Sequence, residues 1–274
     1  MRIPGFGRLK QAARHTIAWH RRSPAVRMLH DVASFVESSY NNDGSDIRHN
    51  GEQHLIKKLG TADFRCAIDV GANNGDWTWE ALSAWPSVNV HLFEVAPKTF
   101  EALRGRFDTS SFANNVILNQ VGISNQSGME DMHYFPDHPD LTCDRPRHSD
   151  YETVTFLANL ETLDRYCSKR EIEEVDFLKI DVEGAEYKVL QGFLPYLRSQ
   201  KVQCIQFEYG AFSTQTRVLL KDYYDLLGKY YWIGKVFPSY VEFTEYVWNM
   251  EDYQFCNYLC VSRRRMDLRT LVTR

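Results

Sequence analysis

Apolar and polar positions along this chain fall into two alternating rhythms. Cys66-Ala67-Ile68-Asp69-Val70 is a short apolar run of the kind that forms a strand buried on both faces. Residues 88–94, 116–121, 175–181 and 202–208 repeat it. Between and before these runs, residues 53–59, 76–85 and 97–107 read as helices, the second stopped by Pro86 and the third opened by Pro97. Strand and helix in strict succession predict a parallel, open α/β sheet. The succession then breaks. Residues 128–135 and 153–157 read as extra strands around a polar insert, 136–150, whose length suits a lid or specificity loop as well as a plain solvated loop. Residues 160–170 and 216–229 predict helices, and residues 230–237 and 255–262 predict two strands that complete the sheet.

The ends differ from this body. Residues 5–22 place Phe6, Leu9, Ala13 and Ile17 at helical spacing, and residues 25–40 predict a second helix with Val26, Leu29, Val32, Ala33 and Val36 apolar. A polar loop, 41–51, marks the boundary, so residues 1–45 form an N-terminal helical, basic extension and residues 46–262 the main domain. Arg263, Arg264, Arg265, Arg269 and Arg274 make residues 263–274 a basic tail, expected to be solvated.

Charge sharpens that division. Net charge is -4, but residues 1–30 hold seven Lys/Arg and no acid, so the remainder carries -11. An acidic body argues against nucleic acid as a partner. The basic N-terminus reads either as a peripheral contact of residues 1–30 with an anionic membrane or acidic partner, or as a helix packed on the domain; its composition also suits an organellar transit peptide. No apolar run reaches the roughly 20 residues of a membrane span, and no secretion signal is evident. Six cysteines without metal-ligand spacing fit a reducing, cytoplasmic setting, with membrane association through the extension as a variant.

Candidate chemistry gathers at strand ends. After Val70 comes Gly71-Ala72-Asn73-Asn74-Gly75-Asp76, a turn of residues that tolerate unusual backbone angles, with Asp76 expected to cap the helix. A strand feeding such a turn into a helix is a nucleotide-type cradle. Three residues separate Gly71 from Gly75, which is not the spacing of dinucleotide binders, and a carboxylate at Asp69 suits a sulfonium or ammonium better than a pyrophosphate. Asp69, Glu94, Asp181 and Glu208 end four predicted strands and would share one rim. Glu94, 25 residues beyond Asp69, stands where an acid can accept hydrogen bonds from a ribose diol, and Gly122 would flank a planar base. Lys179 sits inside an apolar strand, a costly position unless Asp181 or Glu208 pairs with it.

The segment Asp176-Phe177-Leu178-Lys179-Ile180-Asp181-Val182-Glu183-Gly184-Ala185-Glu186 resembles the signature of FkbM-type O-methyltransferases, within the class I S-adenosylmethionine-dependent superfamily. Asn50-Gly51-Glu52, Ile68-Asp69-Val70-Gly71-Ala72-Asn73, Leu160-Glu161-Thr162-Leu163-Asp164, Ile233-Gly234-Lys235 and Asn257-Tyr258-Leu259 extend the likeness over about residues 46–262. Val95 departs from it, since the family usually has Pro after the ribose acid. The resemblance implies a Rossmann-like, seven-stranded, mostly parallel sheet flanked by helices. It also implies S-adenosylmethionine as methyl donor and a hydroxyl of a sugar, glycan or secondary metabolite as acceptor.

On this reading Asp69, Gly71, Asn73, Gly75, Glu94 and Gly122 hold the cofactor, and Asp181, Glu183 and Glu208 act on the acceptor. Asp181 is the first candidate for its proton, and Asp181 with Glu208 could hold Mg²⁺. His133, His138 and His148 in the variable region are further candidate bases. A catalytically inactive binding module of the same fold, at a membrane or partner surface, is the competing reading. An NAD-dependent reductase is disfavoured by the glycine spacing and Asp69.

Overall fold

Eleven strands and eleven α-helices occur among the residues that this computed structural model describes, 6–145 and 151–273, with side chains described from Lys10 onward. The strands are β1 (Cys66–Val70), β2 (Asn89–Phe93), β3 (Val116–Asn119), β4 (Gly122–Ile123), β5 (Gly128–Tyr134), β6 (Val154–Glu161), β7 (Val175–Ile180), β8 (Val202–Tyr209), β9 (Tyr231–Phe237), β10 (Tyr240–Phe243) and β11 (Cys256–Ser262). The helices are α1 (Phe6–Trp19), α2 (Pro24–Tyr40), α3 (Glu52–Lys58), α4 (Asp76–Ala84), α5 (Pro97–Asp108), α6 (Leu163–Lys169), α7 (Glu186–Gln191), α8 (Leu194–Arg198), α9 (Ser213–Thr216), α10 (Leu220–Leu227) and α11 (Met266–Val272).

Eight strands form the main sheet in the order β10-β9-β11-β8-β7-β1-β2-β3. The run from β8 to β3 is parallel, and β11, β9 and β10 extend it antiparallel. The mostly parallel architecture read from the sequence holds, with the short β10 as an eighth strand hairpinned onto β9. Chain order reverses between β1 and β7. In a sheet of this kind that is where a crevice opens beyond the C-terminal strand ends.

Alternation along the strands sorts the core. Ile68, Val70, Leu178, Ile180, Ile205 and Phe207 pack on one face with α6, α7 and α10. Ala67, Phe177, Cys204, Leu259 and Val261 pack on the other with α3, α4 and α11. There Phe64, Trp77, Trp85 and Phe177 make an aromatic cluster, with Trp77 and Trp85 each 5.3 Å from Phe177 between ring centroids. The second face changes character partway up. Asp69, Lys179, Gln206 and Glu208 continue it beyond the apolar rows, and all four are buried.

Several expectations are revised. The strand read at 116–121 ends at Asn119, and Gly122–Ile123 pairs instead with β6 in a second, three-stranded sheet, β4-β6-β5. β6 runs through Glu161, so the helix expected from residue 160 starts at Leu163. Asp76 is the first residue of α4, with Gly75 at the cap position. The tail expected to be solvated folds in part as α11, which buries Leu268 and Val272. Arg274, Arg147 and His148 lie outside the described residues.

The chain divides into two compact units, the first ending at Asp43 and the second beginning at Gly44. The first consists of α1 and α2, and none of the side chains described there is buried. No helix among the described residues is long and apolar enough to cross a membrane.

One side chain ties the starts of three central strands together. The Asp176 carboxylate accepts from the backbone N–H of Arg65 (2.6 Å) and Cys66 (2.9 Å) and from Gln203 Nε2 (2.5 Å), linking β7 to β1 and β8. Asp176→Ala leaves these donors without their charged acceptor and is expected to cost about 2 kcal/mol of stability. Urea unfolding measures it, and an unchanged midpoint would remove Asp176 from this role.

Candidate active site

The turn after β1 is shaped by the protein before any ligand. Gly71 has φ +82°, and a Cβ there would stand 1.7 Å from the Asp181 carbonyl oxygen. The N–H groups of Gly71 and Ala72 both donate to the Phe93 carbonyl, while the Asp181 N–H donates to the Val70 carbonyl. β1, β2 and β7 are thus laced together at their C-terminal ends, and only glycine lets them come so close. Gly51 does a similar service for α3. At φ +100° its missing Cβ leaves room for the Phe237 carbonyl, 2.2 Å from where that atom would be. This seats Glu52, the first residue of α3, in the interior.

Beyond these strand ends lies a cavity of about 330 Å³. Phe93, Val95, Ile123 and Leu160 give it an apolar wall, and β4, β5 and β6 of the small sheet close that side. Gly71, Asn73, Glu94, Gly122, Asp181, Glu183 and Glu208, seven of the residues singled out from the sequence, all line it. Asp69 and Gly75 do not. Asp69 is 0% exposed, and its Oδ2 accepts from Thr78 Oγ1 at 2.6 Å on the α4 side of the sheet. Gly75 is needed for packing, because a Cβ would meet Phe107 and Leu103 at 2.6 and 2.8 Å. The shared rim of four acids is therefore a rim of three, with Asp69 one layer beneath. His133 bonds with Thr155 Oγ1 and His138 packs at a tilt against Tyr151; neither lines the cavity. From the insert, Pro139, Asp140, Thr142 and Asp144 do line it, Asp144 paired with Lys188 at 2.6 Å.

A buried lysine organises the charges. Lys179 is 6% exposed, and its Nζ lies 2.8 Å from Asp181 Oδ2. Burial alone would lower its pKa, but Asp181, Asp69 and Glu52 around it more than reverse this and hold it charged. Asp181, half-buried, is likewise raised by burial and brought below the usual carboxylate range by Lys179. Glu208 goes the other way: burial, then the charge of Asp181, push it well above the ordinary value, and it hydrogen-bonds with Asp181. A proton on the pair is accordingly held by Glu208 in preference to Asp181. Carboxylate oxygens of Asp181, Glu183 and Glu208 all lie within 4.8 Å of one another.

Glu94 is fixed at the opposite wall. Its Oε2 accepts from the Asn73 N–H (3.0 Å) and its Oε1 from the Ala96 N–H (2.8 Å), orienting the carboxylate toward the cavity. Sequence reasoning missed part of the supporting shell. Glu52 accepts from Gln206 Nε2 (2.5 Å) and Asn50 Nδ2 (2.7 Å), and Gln206 also donates to Asn257 Oδ1 (3.0 Å). Burial raises Glu52 despite these bonds. Glu186 accepts from the N–H groups of Val182 and Gly184 and so pins the turn that carries Glu183, itself at φ +56°. A polar residue amid apolar neighbours, as at Gln206, was the available signal.

With this geometry in view, similarity to known proteins becomes informative. The Methyltransferase FkbM domain matches residues 69–242, more than half the chain, and the chain belongs to this family. It is 32% identical over 152 residues to the 31-O-demethyl-FK506 methyltransferase FkbM of Streptomyces tacrolimicus, covering 46% of this chain and 58% of that protein. The 2-O-methyltransferase NoeI of Sinorhizobium fredii is 27% identical over 192 residues, 64% of this chain and 75% of that one. The hexuronic acid methyltransferase AglP of Haloferax volcanii is 26% identical over 179 residues, 65% and 70% respectively. The chain thus spans less than two thirds of the first of these relatives.

Two of the acids give the apo protein a characteristic pH response. Burial raises Glu94 and Glu186 each to about 7. A carboxyl whose native pKa is raised stabilises the fold below its unfolded value of about 4.3, and that contribution is lost as pH climbs through about 7. His91, lowered by burial to about 4, is neutral in the native state over this range while the unfolded imidazole is still losing its proton, so it adds a smaller slope of opposite sign just above 6.5. Between pH 6.5 and 8 the stability is therefore expected to fall by on the order of 1 kcal/mol. Urea midpoints at the two pH values test this. Glu186→Gln should flatten the difference, whereas a midpoint that rises with pH contradicts it.

Proposed function

We propose that the protein is an S-adenosylmethionine-dependent O-methyltransferase acting on a hydroxyl of a sugar, glycan or secondary metabolite. The observation that carries this reading is the Asp181–Glu208 pair, poised by Lys179, across one cavity from the backbone-anchored Glu94. The residues present fit the cofactor. Glu94 would accept the ribose hydroxyls, and Val95, Ile123 and Leu160 would enclose the adenine. The acidic side chains nearby suit a sulfonium. When bound, S-adenosylmethionine supplies an electrophilic methyl group for in-line attack. The chain's own task is to place the acceptor oxygen about 3–3.5 Å from that carbon and to remove its proton. Asp181, held ionised, accepts the proton. Glu208, which holds its proton more tightly than an ordinary carboxyl, keeps the charge beside the acceptor oxygen low and can donate a hydrogen bond to orient it. Glu183 would hold a second group of the acceptor.

Oxygen as the target is supported by two relatives whose names specify O-methylation. Acceptor charge is constrained by the lining. Eight acidic side chains line the cavity, and among the described residues no Lys, Arg or His does. A neutral or cationic acceptor fits this wall better than a uronic acid or a polyphosphate. The clustering of Asp181, Glu183 and Glu208 also favours a second reading, in which the three carboxylates hold Mg²⁺ through hard oxygen ligands and lower the acceptor's pKa. Loss of turnover on chelation, restored by Mg²⁺, would decide for that reading.

Calorimetry with S-adenosylmethionine and turnover over a panel of neutral, amino and carboxylated sugars test the whole. Asp181→Asn is expected to lower kcat by at least about 100-fold with cofactor affinity nearly unchanged. Glu94→Gln should weaken cofactor binding about tenfold, as for loss of one charge-assisted hydrogen bond. Cofactor binding without methyl transfer to any hydroxyl would favour a non-catalytic module, and retained turnover in Asp181→Asn would remove that residue from the mechanism.

A further inference from the structure

The N-terminal unit carries a surface that the active site does not use. On α2, Met28, Leu29, Val32, Phe35, Val36 and Tyr40 recur at helical spacing along one side, an apolar face about half the helix circumference wide. All six are exposed, Met28 and Phe35 at 71% and Tyr40 at 81%. Arg27, His30, Asp31 and Glu37 occupy the opposite side, so that side is nearly neutral. α1 is not divided in this way: Ile17 (45% exposed) shares its side with Lys10 and Arg14, and Trp19 (75%) faces away from them. Arg21 and Arg22 follow in the turn between the helices, exposed beside the Ser23 cap of α2. Residues 1–30 contain seven basic residues and no acid.

We infer that α1 and α2 form a membrane-surface anchor that lies in the plane of an anionic lipid bilayer. An unpartnered apolar face alone does not name its occupant. Charge complementarity does. A second copy would bring two acid-free basic segments together, which is repulsive. An anionic leaflet offers hydrocarbon for Met28, Val32 and Phe35 and phosphate for Arg14, Arg21 and Arg22 at the same boundary. Trp19 and Tyr40, amphipathic rings at the ends of their helices, suit the headgroup level. Neither helix is a spanning segment, so the attachment is peripheral and reversible. It does not depend on the methyl-transfer reading, because none of these residues lines the cavity.

The test is co-sedimentation of the full-length protein with vesicles of phosphatidylcholine alone and of phosphatidylcholine with phosphatidylserine, at low and high salt. Binding is expected only to the anionic vesicles and only at low salt. Each basic residue near such a surface contributes roughly fivefold, so joint replacement by Arg21→Gln and Arg22→Gln should weaken binding about 25-fold. Val32→Ser with Phe35→Ser, which alters exposed side chains only, should abolish it while circular dichroism and S-adenosylmethionine affinity stay unchanged. Three results would overturn the inference. One is no binding to anionic vesicles at low salt. Another is equal binding to neutral vesicles. The third is a dimer lost in the Val32→Ser, Phe35→Ser variant without any vesicle binding, which would give the face to a second copy.

Discussion

A single buried cation, Lys179, sets the terms for the rest of the site. Placing an ammonium inside a sheet costs several kcal/mol unless opposite charge surrounds it. Here Asp181, Asp69 and Glu52 provide that charge from three different elements: the turn after β7, strand β1 and the start of α3. Each is then constrained in return. Asp69 is committed to Lys179 and Thr78, and so stays under the cavity floor. Asp181 is brought below the usual carboxylate range at the cavity edge, and Glu208 beside it is pushed well above it because two adjacent carboxylates cannot both ionise cheaply. An acid–base pair in defined states is thus a consequence of how one strand residue is compensated.

The strand geometry that achieves this is simple. On one face of the sheet the lower positions, Ala67, Phe177 and Cys204, belong to an apolar core, and the next positions up, Asp69, Lys179 and Gln206, are polar. β1, β7 and β8 are in register there, with Asp69 opposite Lys179 and Lys179 opposite Gln206. The apolar layer below fixes the strands and excludes water, which strengthens every interaction in the polar layer above. Gly71 allows the strand ends to close up, and the small sheet supplies the remaining wall.

Much of this was legible in the sequence because it is local. Apolar runs of strand length, glycine turns and strand-end acids sit within a few residues of one another, so β1, β2, β7 and β8 and the placing of Glu94, Asp181 and Glu208 on one rim could be read directly. What escaped depends on which way a side chain turns or on partners far apart in sequence. Asp69 is one residue short of the end of β1, and alternation sends it to the α4 side; the residue type alone could not reveal that. The bond from Gln206 to Glu52 joins positions 154 residues apart, so Glu52, seen only within the Asn50-Gly51-Glu52 likeness, was given no part in the site. The C-terminal arginines suggested a solvated tail, whereas Leu268 and Val272, spaced one helical turn apart, decide for a packed helix.

The account stands most squarely on the protonation states that Lys179 imposes. Carboxyl ¹³C chemical shifts of Asp181 and Glu208, followed through pH in the full-length protein and assigned with Asp181→Asn and Glu208→Gln, read those states directly. Near neutral pH Asp181 should report an ionised carboxylate and Glu208 a protonated carboxyl, with Glu208 titrating at a lower pH once Asp181 is replaced by Asn. Two ionised carboxylates near neutral pH, or a Glu208 indifferent to that replacement, would contradict it.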